Sequence, residues 1–220
     1  MNFKELKFLI LADLHRYNNK LSWGTFFKEY VHEFGFKYIF WWRVNKYFKT
    51  KSKLLSPVRL IFRFILRQNS IHLGIDISLQ AEVDPGFKIE HFGGIIVNSN
   101  AKIGKRCSML QGVTIGEYFG APSIGEFVFI GPGAKLIGNV KVGNNVIVGA
   151  NSVVTKDIPD NAVVVGVPGK VISRKGNIRK NREEIHKLTI RTYRQLCPPE
   201  LWNKYGLDKQ ESAPISESAI

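Results

Sequence analysis

Residues 124–153 read IGEFVF IGPGAK LIGNVK VGNNVI VGANSV, five hexads in one unbroken phase. Position one is always aliphatic: Ile124, Ile130, Leu136, Val142 and Val148. Position five is small or apolar, and Gly recurs at position two. Stepping backward, with a slip of three residues at Gly116–Ser123, the same frame runs through Ile115, Met109, Ile103, Val97, His91, Pro85, Leu79 and Leu73. A short fixed period is diagnostic of a solenoid. Three hexads make one triangular coil, position one points into the prism, and neighbouring coils stack as parallel strands about 4.8 Å apart. The expected fold is mainly β: a parallel β-helix over 73–172, with an α-helical region at 1–72, a basic C-terminal helix at 173–205 and a disordered tail at 206–220.

Pro85, His91 and the slip are the three irregularities, and a site is expected near them. In this frame His91 takes a place reserved for aliphatics. Glu90 precedes it, and Gly93 and Gly94 leave backbone room for a ligand. Asp76 lies fifteen residues earlier, within one coil spacing. A His oriented by a carboxylate can act as general base on a hydroxyl. The expected catalytic pair is therefore His91 with Asp76, with Glu90, Gly93 and Gly94 contacting substrate. A metal site needs several ligands on adjoining coils. His91 is the only His in the repeat, so no metal is expected.

The net charge of +14 is uneven. It is +10 over residues 1–72, −1 over 73–168 and +5 over 169–220. Helical spacing predicts helices over 3–17, 23–34 (with Ser22 as cap), 36–49 and 58–67, with a basic linker at 50–57. Trp, Phe, Lys and Arg mixed on short helices are the composition of an interfacial membrane binder, so peripheral contact with the inner membrane face is expected. With a neutral repeat and no nucleic-acid motif, no nucleic-acid partner is expected. Cys107 and Cys197 form no disulfide framework, and Asn2–Leu14 is too charged for a signal sequence, which suits the cytoplasm. C-terminal to the repeat, residues 178–196 read as a basic helix ended by Pro198-Pro199.

Several segments carry a resemblance. Gly74-Ile-Asp-Ile77, Ile89-Glu-His-Phe-Gly-Gly-Ile95 and Gln111-Gly-Val-Thr-Ile-Gly116 resemble the serine acetyltransferase family of left-handed β-helix, hexapeptide-repeat acyltransferases. Ile130-Gly-Pro-Gly-Ala-Lys-Leu-Ile-Gly138, Gly149-Ala-Asn-Ser-Val-Val154 and Val165-Gly-Val-Pro-Gly-Lys170 extend the match over 73–172. The resemblance implies a left-handed coil and a homotrimer with active sites between subunits. It implies acetyl-CoA as donor, and a His–Asp dyad (His91, Asp76) that deprotonates the acceptor for direct attack on the thioester. Gly131, Pro132, Gly149 and Ala150 recur at eighteen residues and are the expected pantetheine track. Lys170 and Arg174 are the expected partners of CoA phosphates. The chain departs from the family where an Arg-His-Pro segment helps hold the substrate carboxylate: Gly120-Ala121-Pro122 stands there. The expected acceptor is therefore a hydroxyl of a sugar in a bacterial surface polysaccharide or its lipid-linked precursor, as in the shortened polysaccharide O-acetyltransferases. The alternative is L-serine, for cysteine biosynthesis.

Overall fold

A computed structural model describes residues 1–51, 56–176 and 182–208. Parts of the expected linker (52–55), of the C-terminal helix (177–181) and of the tail (209–220) lie outside the described residues. The N-terminal helices are α1 (Phe3–Leu14), α2 (Trp23–His32), α3 (Phe34–Lys49) and α4 (Ser56–Leu73). Asn2 and Ser22 cap α1 and α2, their side chains accepting from the Glu5 and Thr25 N–H groups at 2.8 and 3.1 Å. Each satisfies one orphan donor of a first turn. Gly35, expected to interrupt the helical pattern between residues 34 and 36, lies inside α3, where a Cβ would come within 2.2 Å of the Ile89 carbonyl oxygen. It is a packing glycine, and helical periodicity cannot show that.

Strands β1–β15 follow in chain order and build three sheets of a parallel β-helix. The first sheet holds β1 (Ile75–Ile77), β4 (Ile95–Val97), β7 (Thr114–Gly116), β10 (Lys135–Ile137) and β13 (Val153–Val154). The second holds β2 (Glu82–Val83), β5 (Lys102–Ile103), β8 (Ser123–Ile124) and β11 (Lys141–Val142). The third holds β3 (Lys88–Ile89), β6 (Ser108–Met109), β9 (Phe129–Ile130), β12 (Ile147–Val148) and β14 (Val163–Val165). β15 (Lys170–Ser173) then folds back antiparallel on β14 and covers that sheet's last edge. The inner face is the expected aliphatic column, from Val97, Ile103 and Met109 down to Val148 and Val154, all buried. Cys107 is within it, and burial pushes its thiol up to about 12.

The frame is wrong N-terminal to residue 95. Asp76 pairs with Ile96, a step of 20 residues, whereas Ile96 pairs with Thr114, a step of 18. Two extra residues sit in the His91–Gly94 turn. The first coil therefore fills its core from Ile77, Val83 and Ile89. Leu79 and Pro85 fall at corners, and His91 is exposed. His91 is thus no core substitution; the repeat makes room for it by breaking phase. The three-residue slip at 117–122 is where the sequence puts it, with Lys102 pairing Ser123 at 21 residues.

The first coil is an open edge, and unpaired strand edges must be covered. Trp42 Nε1 donates to the Ile77 carbonyl at 3.0 Å, and Tyr38 Oη accepts from the Ile77 N–H at 3.1 Å. Arg43 donates to the Val83 and Asp84 carbonyls and pairs with Asp13 at 2.9 Å, both side chains 1 % exposed. Asp13 in turn accepts from the Gly86 and Phe87 N–H groups, each at 2.9 Å. α1 and α3 are therefore welded to the helix end by named polar contacts. α5 (Arg182–Leu196) returns to α1, where Tyr193 and Cys197 pack on Phe8, Leu9 and Ala12. Tyr205 and Leu207 join that cluster, so residues 206–208, assigned to the tail by composition, are folded.

Candidate active site

His91 stands on the corner between the third and first sheets. The Gly93, Gln111 and Pro132 carbonyls accept from the Gly112, Gly133 and Asn151 N–H groups of the next coil at 2.7, 2.8 and 2.8 Å, so Gly93, Gln111, Pro132 and Ala150 stack one coil apart on this corner, with His91 two residues before Gly93 in the same turn. Gly131 and Gly149 are their neighbours on that edge. The edge runs on to Val165, which pairs Lys170. Five inter-strand steps separate β3 from β15, about 24 Å. The expected catalytic His and the expected donor track thus share one edge of the prism.

Asp76 is exposed in the middle of β1, whose two neighbours face the core. β1 begins just past the same corner: a Cβ on Gly74 would lie 3.1 Å from Gly94 N and 3.4 Å from Gly93 Cα. Asp76 therefore lies two residues past the point where the His91–Gly94 turn packs on Gly74, beside Ile96 of the strand that leaves the turn, and no ion pair within 4.0 Å joins it to His91 in the single chain. Catalytic hydrogen bonds are commonly long before substrate binds. Glu90 is committed elsewhere: it holds Lys88 at 2.8 Å, and Lys88 lies over the Tyr17 ring.

The glycines differ in kind. Gly93 has φ +107°, and a Cβ there would meet nothing within 4 Å. That is open space beside His91, suited to an approaching ligand. Gly131 and Gly149 are different: a Cβ would collide with Ala150 N at 2.8 Å and with Val165 Cγ1 at 2.7 Å. They let coils stack, so any donor track at this edge is lined by Pro132 and Ala150. Lys170 and Arg174 are exposed near its far end.

Two features were not legible as site elements. Tyr17 Oη both donates to the Ile89 carbonyl at 3.0 Å and accepts from the Ile89 N–H at 3.1 Å, pinning the strand that delivers His91. Lys135 Nζ donates to the Gly112 carbonyl at 2.6 Å and to Thr114 Oγ1 at 3.0 Å, tying the corner to the first sheet. Among the described residues no cluster of His, Cys, Asp and Glu is arranged to hold a metal.

A prism of stacked hexads that breaks phase to expose a histidine beside an open glycine defines a hexapeptide-repeat solenoid with a candidate site on one edge. The model of the bacterial transferase hexapeptide family (six repeats) matches residues 121–156. A serine acetyltransferase of Synechococcus elongatus is 37% identical over 122 residues, covering 53% of this chain and 50% of that protein. A serine acetyltransferase solved in complex with CoA shares 31% identity, with TM-score 0.61 over 76% of this chain and 68% of that one. The Brucella abortus serine acetyltransferase with coenzyme A gives 29% identity and TM-score 0.66, over 79% and 70%. The chain belongs to the hexapeptide-repeat acyltransferases and is serine acetyltransferase-like. It spans about half the length of the curated relatives it matches.

Proposed function

We propose that the protein is an acetyl-CoA-dependent O-acetyltransferase. The observation that carries the reading is His91, exposed at the one turn where the repeat gains two residues, with Asp76 beside the strand that leaves that turn. His91 takes the proton of the acceptor hydroxyl as the oxygen attacks the thioester carbonyl. The C–S bond breaks, and the imidazolium returns that proton to the leaving thiolate. Asp76 fixes the imidazole tautomer and stabilises its cation. Acetyl-CoA lies along the Pro132–Ala150 edge with its phosphates toward Lys170. The working unit is a homotrimer whose active sites lie between subunits.

Two acceptors stand. L-serine has the wider support, since the relatives named above are serine acetyltransferases. A sugar hydroxyl of a surface-polysaccharide precursor is favoured by one observation. The loop at 117–122 carries no cation to clamp an α-carboxylate, and instead exposes Tyr118 and Phe119, their rings 4.6 Å apart. Flat aromatic faces suit a sugar ring better than a zwitterion.

The N-terminal helices also fit a membrane surface. Trp23, Phe27 and Val31 on α2 and Leu60, Ile61 and Phe64 on α4 are all exposed, with Lys and Arg interleaved. No described helix is long and apolar enough to cross a membrane, so this is contact at the interface. Thiol release from acetyl-CoA, with L-serine compared against a panel of sugars and oligosaccharides, tests the function. Turnover with L-serine alone removes the saccharide reading; no turnover with any hydroxyl removes the acetyltransferase reading.

A further inference from the structure

α4 lays a row of cations over the sheet that carries Asp76. Arg59, Arg63 and Arg67 stand four residues apart, so they share one helix face and step about 6 Å along it. With Lys49 they line a groove of about 1080 Å³ between α4 and the start of the first sheet. Asp76 is the one acid among its described lining residues, and Gly94 lines it too, so the groove opens beside the His91 turn. None of the three guanidiniums makes a hydrogen bond or ion pair among the described residues.

We infer that this groove holds the phosphate or pyrophosphate of the acceptor, leaving the acceptor's hydroxyl at the Asp76–His91 turn. The inference rests on the saccharide reading of the acceptor. A guanidinium fork matches phosphate oxygens in bidentate geometry and stays charged at any working pH. A cleft lined by one sign of charge concentrates the oppositely charged ligand. The groove is also polarised. Asp76 repels phosphate from the catalytic end, and the arginines attract it to the helix end, so a phosphorylated sugar is oriented before it reacts. A single carboxylate has no use for a cationic row about 12 Å long.

The test uses the full chain with CoA at saturation, which fills the donor's own phosphate contacts. Inorganic pyrophosphate is titrated into wild type and Arg63→Gln/Arg67→Gln by calorimetry. Binding weakens on the order of tenfold in the double variant, with CoA affinity unchanged. Absence of pyrophosphate binding, or equal binding by both proteins, overturns the inference. Thiol release then compares one sugar in three forms: nucleotide-diphosphate-linked, lipid-pyrophosphate-linked in detergent, and free. A lower KM for either phosphorylated form, lost in the double variant, supports the inference and names the source of the phosphate. Equal KM for all three overturns it while the saccharide reading stands. Turnover with L-serine alone overturns both, and any arginine-dependent pyrophosphate binding then marks a bare anion site.

Discussion

Gly35→Ala separates packing from propensity at the junction that positions His91. Alanine is the better helix former by up to about 1 kcal/mol, so local reasoning expects a gain. The fold says otherwise. The new methyl would sit 2.2 Å from the Ile89 carbonyl oxygen, 2.9 Å from Ile89 Cβ and 2.9 Å from Tyr17 Oη. Ordinary contact begins near 3.4 Å, so α3 and β3 must part by about 1 Å. Overpacking of this kind costs about 1–3 kcal/mol, which exceeds the helical gain. The expected net loss lowers Tm by about 2–8 °C. Ile89 lies two residues before His91, and a displacement of about 1 Å at a reacting group costs on the order of 10²-fold in rate. Gly24→Ala is the control, because its Cβ meets only Ser22 Oγ at 3.9 Å; it should hold or raise Tm and leave turnover alone. Differential scanning calorimetry and thiol release read both variants. If Gly35→Ala melts higher than wild type with unchanged kcat, the account of this junction is wrong.

Asp13→Ala should cost about 3–5 kcal/mol in urea unfolding, since it strands a buried guanidinium and two amide donors; a loss under about 1 kcal/mol would place the pair among surface bridges. Adding Arg43→Met should recover part of that loss. Lys46, half-buried and donating to the Ala81 carbonyl, has its pKa lowered by burial to about 8. Between there and the unfolded value of 10.5 the unfolded chain binds more protons, so this group makes stability rise with pH across that window. Lys46→Met should abolish that rise in a wild-type-minus-variant comparison of denaturation midpoints, and identical pH profiles would refute it. Trp23→Ser/Phe27→Ser should reduce co-sedimentation with vesicles containing phosphatidylglycerol while leaving Tm within a few degrees; unchanged sedimentation would remove the membrane contact.

From Ile95 onward the repeat can be read directly, because buried side chains every six residues leave no competing frame. The first coil is different. Leu73, buried at the end of α4, and Leu79, packed on the core from a corner, happen to fall at the frame carried back from the later coils, so two hexads satisfy the wrong register. The two-residue insertion at His91–Gly94 then looks like a pair of odd core residues. His91 was conspicuous for the wrong reason, as a buried imidazole, and its real distinction is exposure. Gly131 and Gly149 carry a second requirement: their spacing is visible, but only the stacked backbone reveals that their missing Cβ atoms also serve the neighbouring coil. The end-capping network of Asp13, Arg43, Trp42 and Tyr17 was out of reach, since it joins residues dozens of positions apart. The arginines of α4 have a readable spacing, yet the groove they line exists only once α4 lies against the first sheet.

Acetyl transfer is proposed to depend on His91 as the general base. His91→Ala, with CoA binding and Tm measured alongside to show an intact fold, should lower kcat/KM for acetyl transfer by about 10²–10⁴-fold. A purified variant that turns over at the wild-type rate would contradict it.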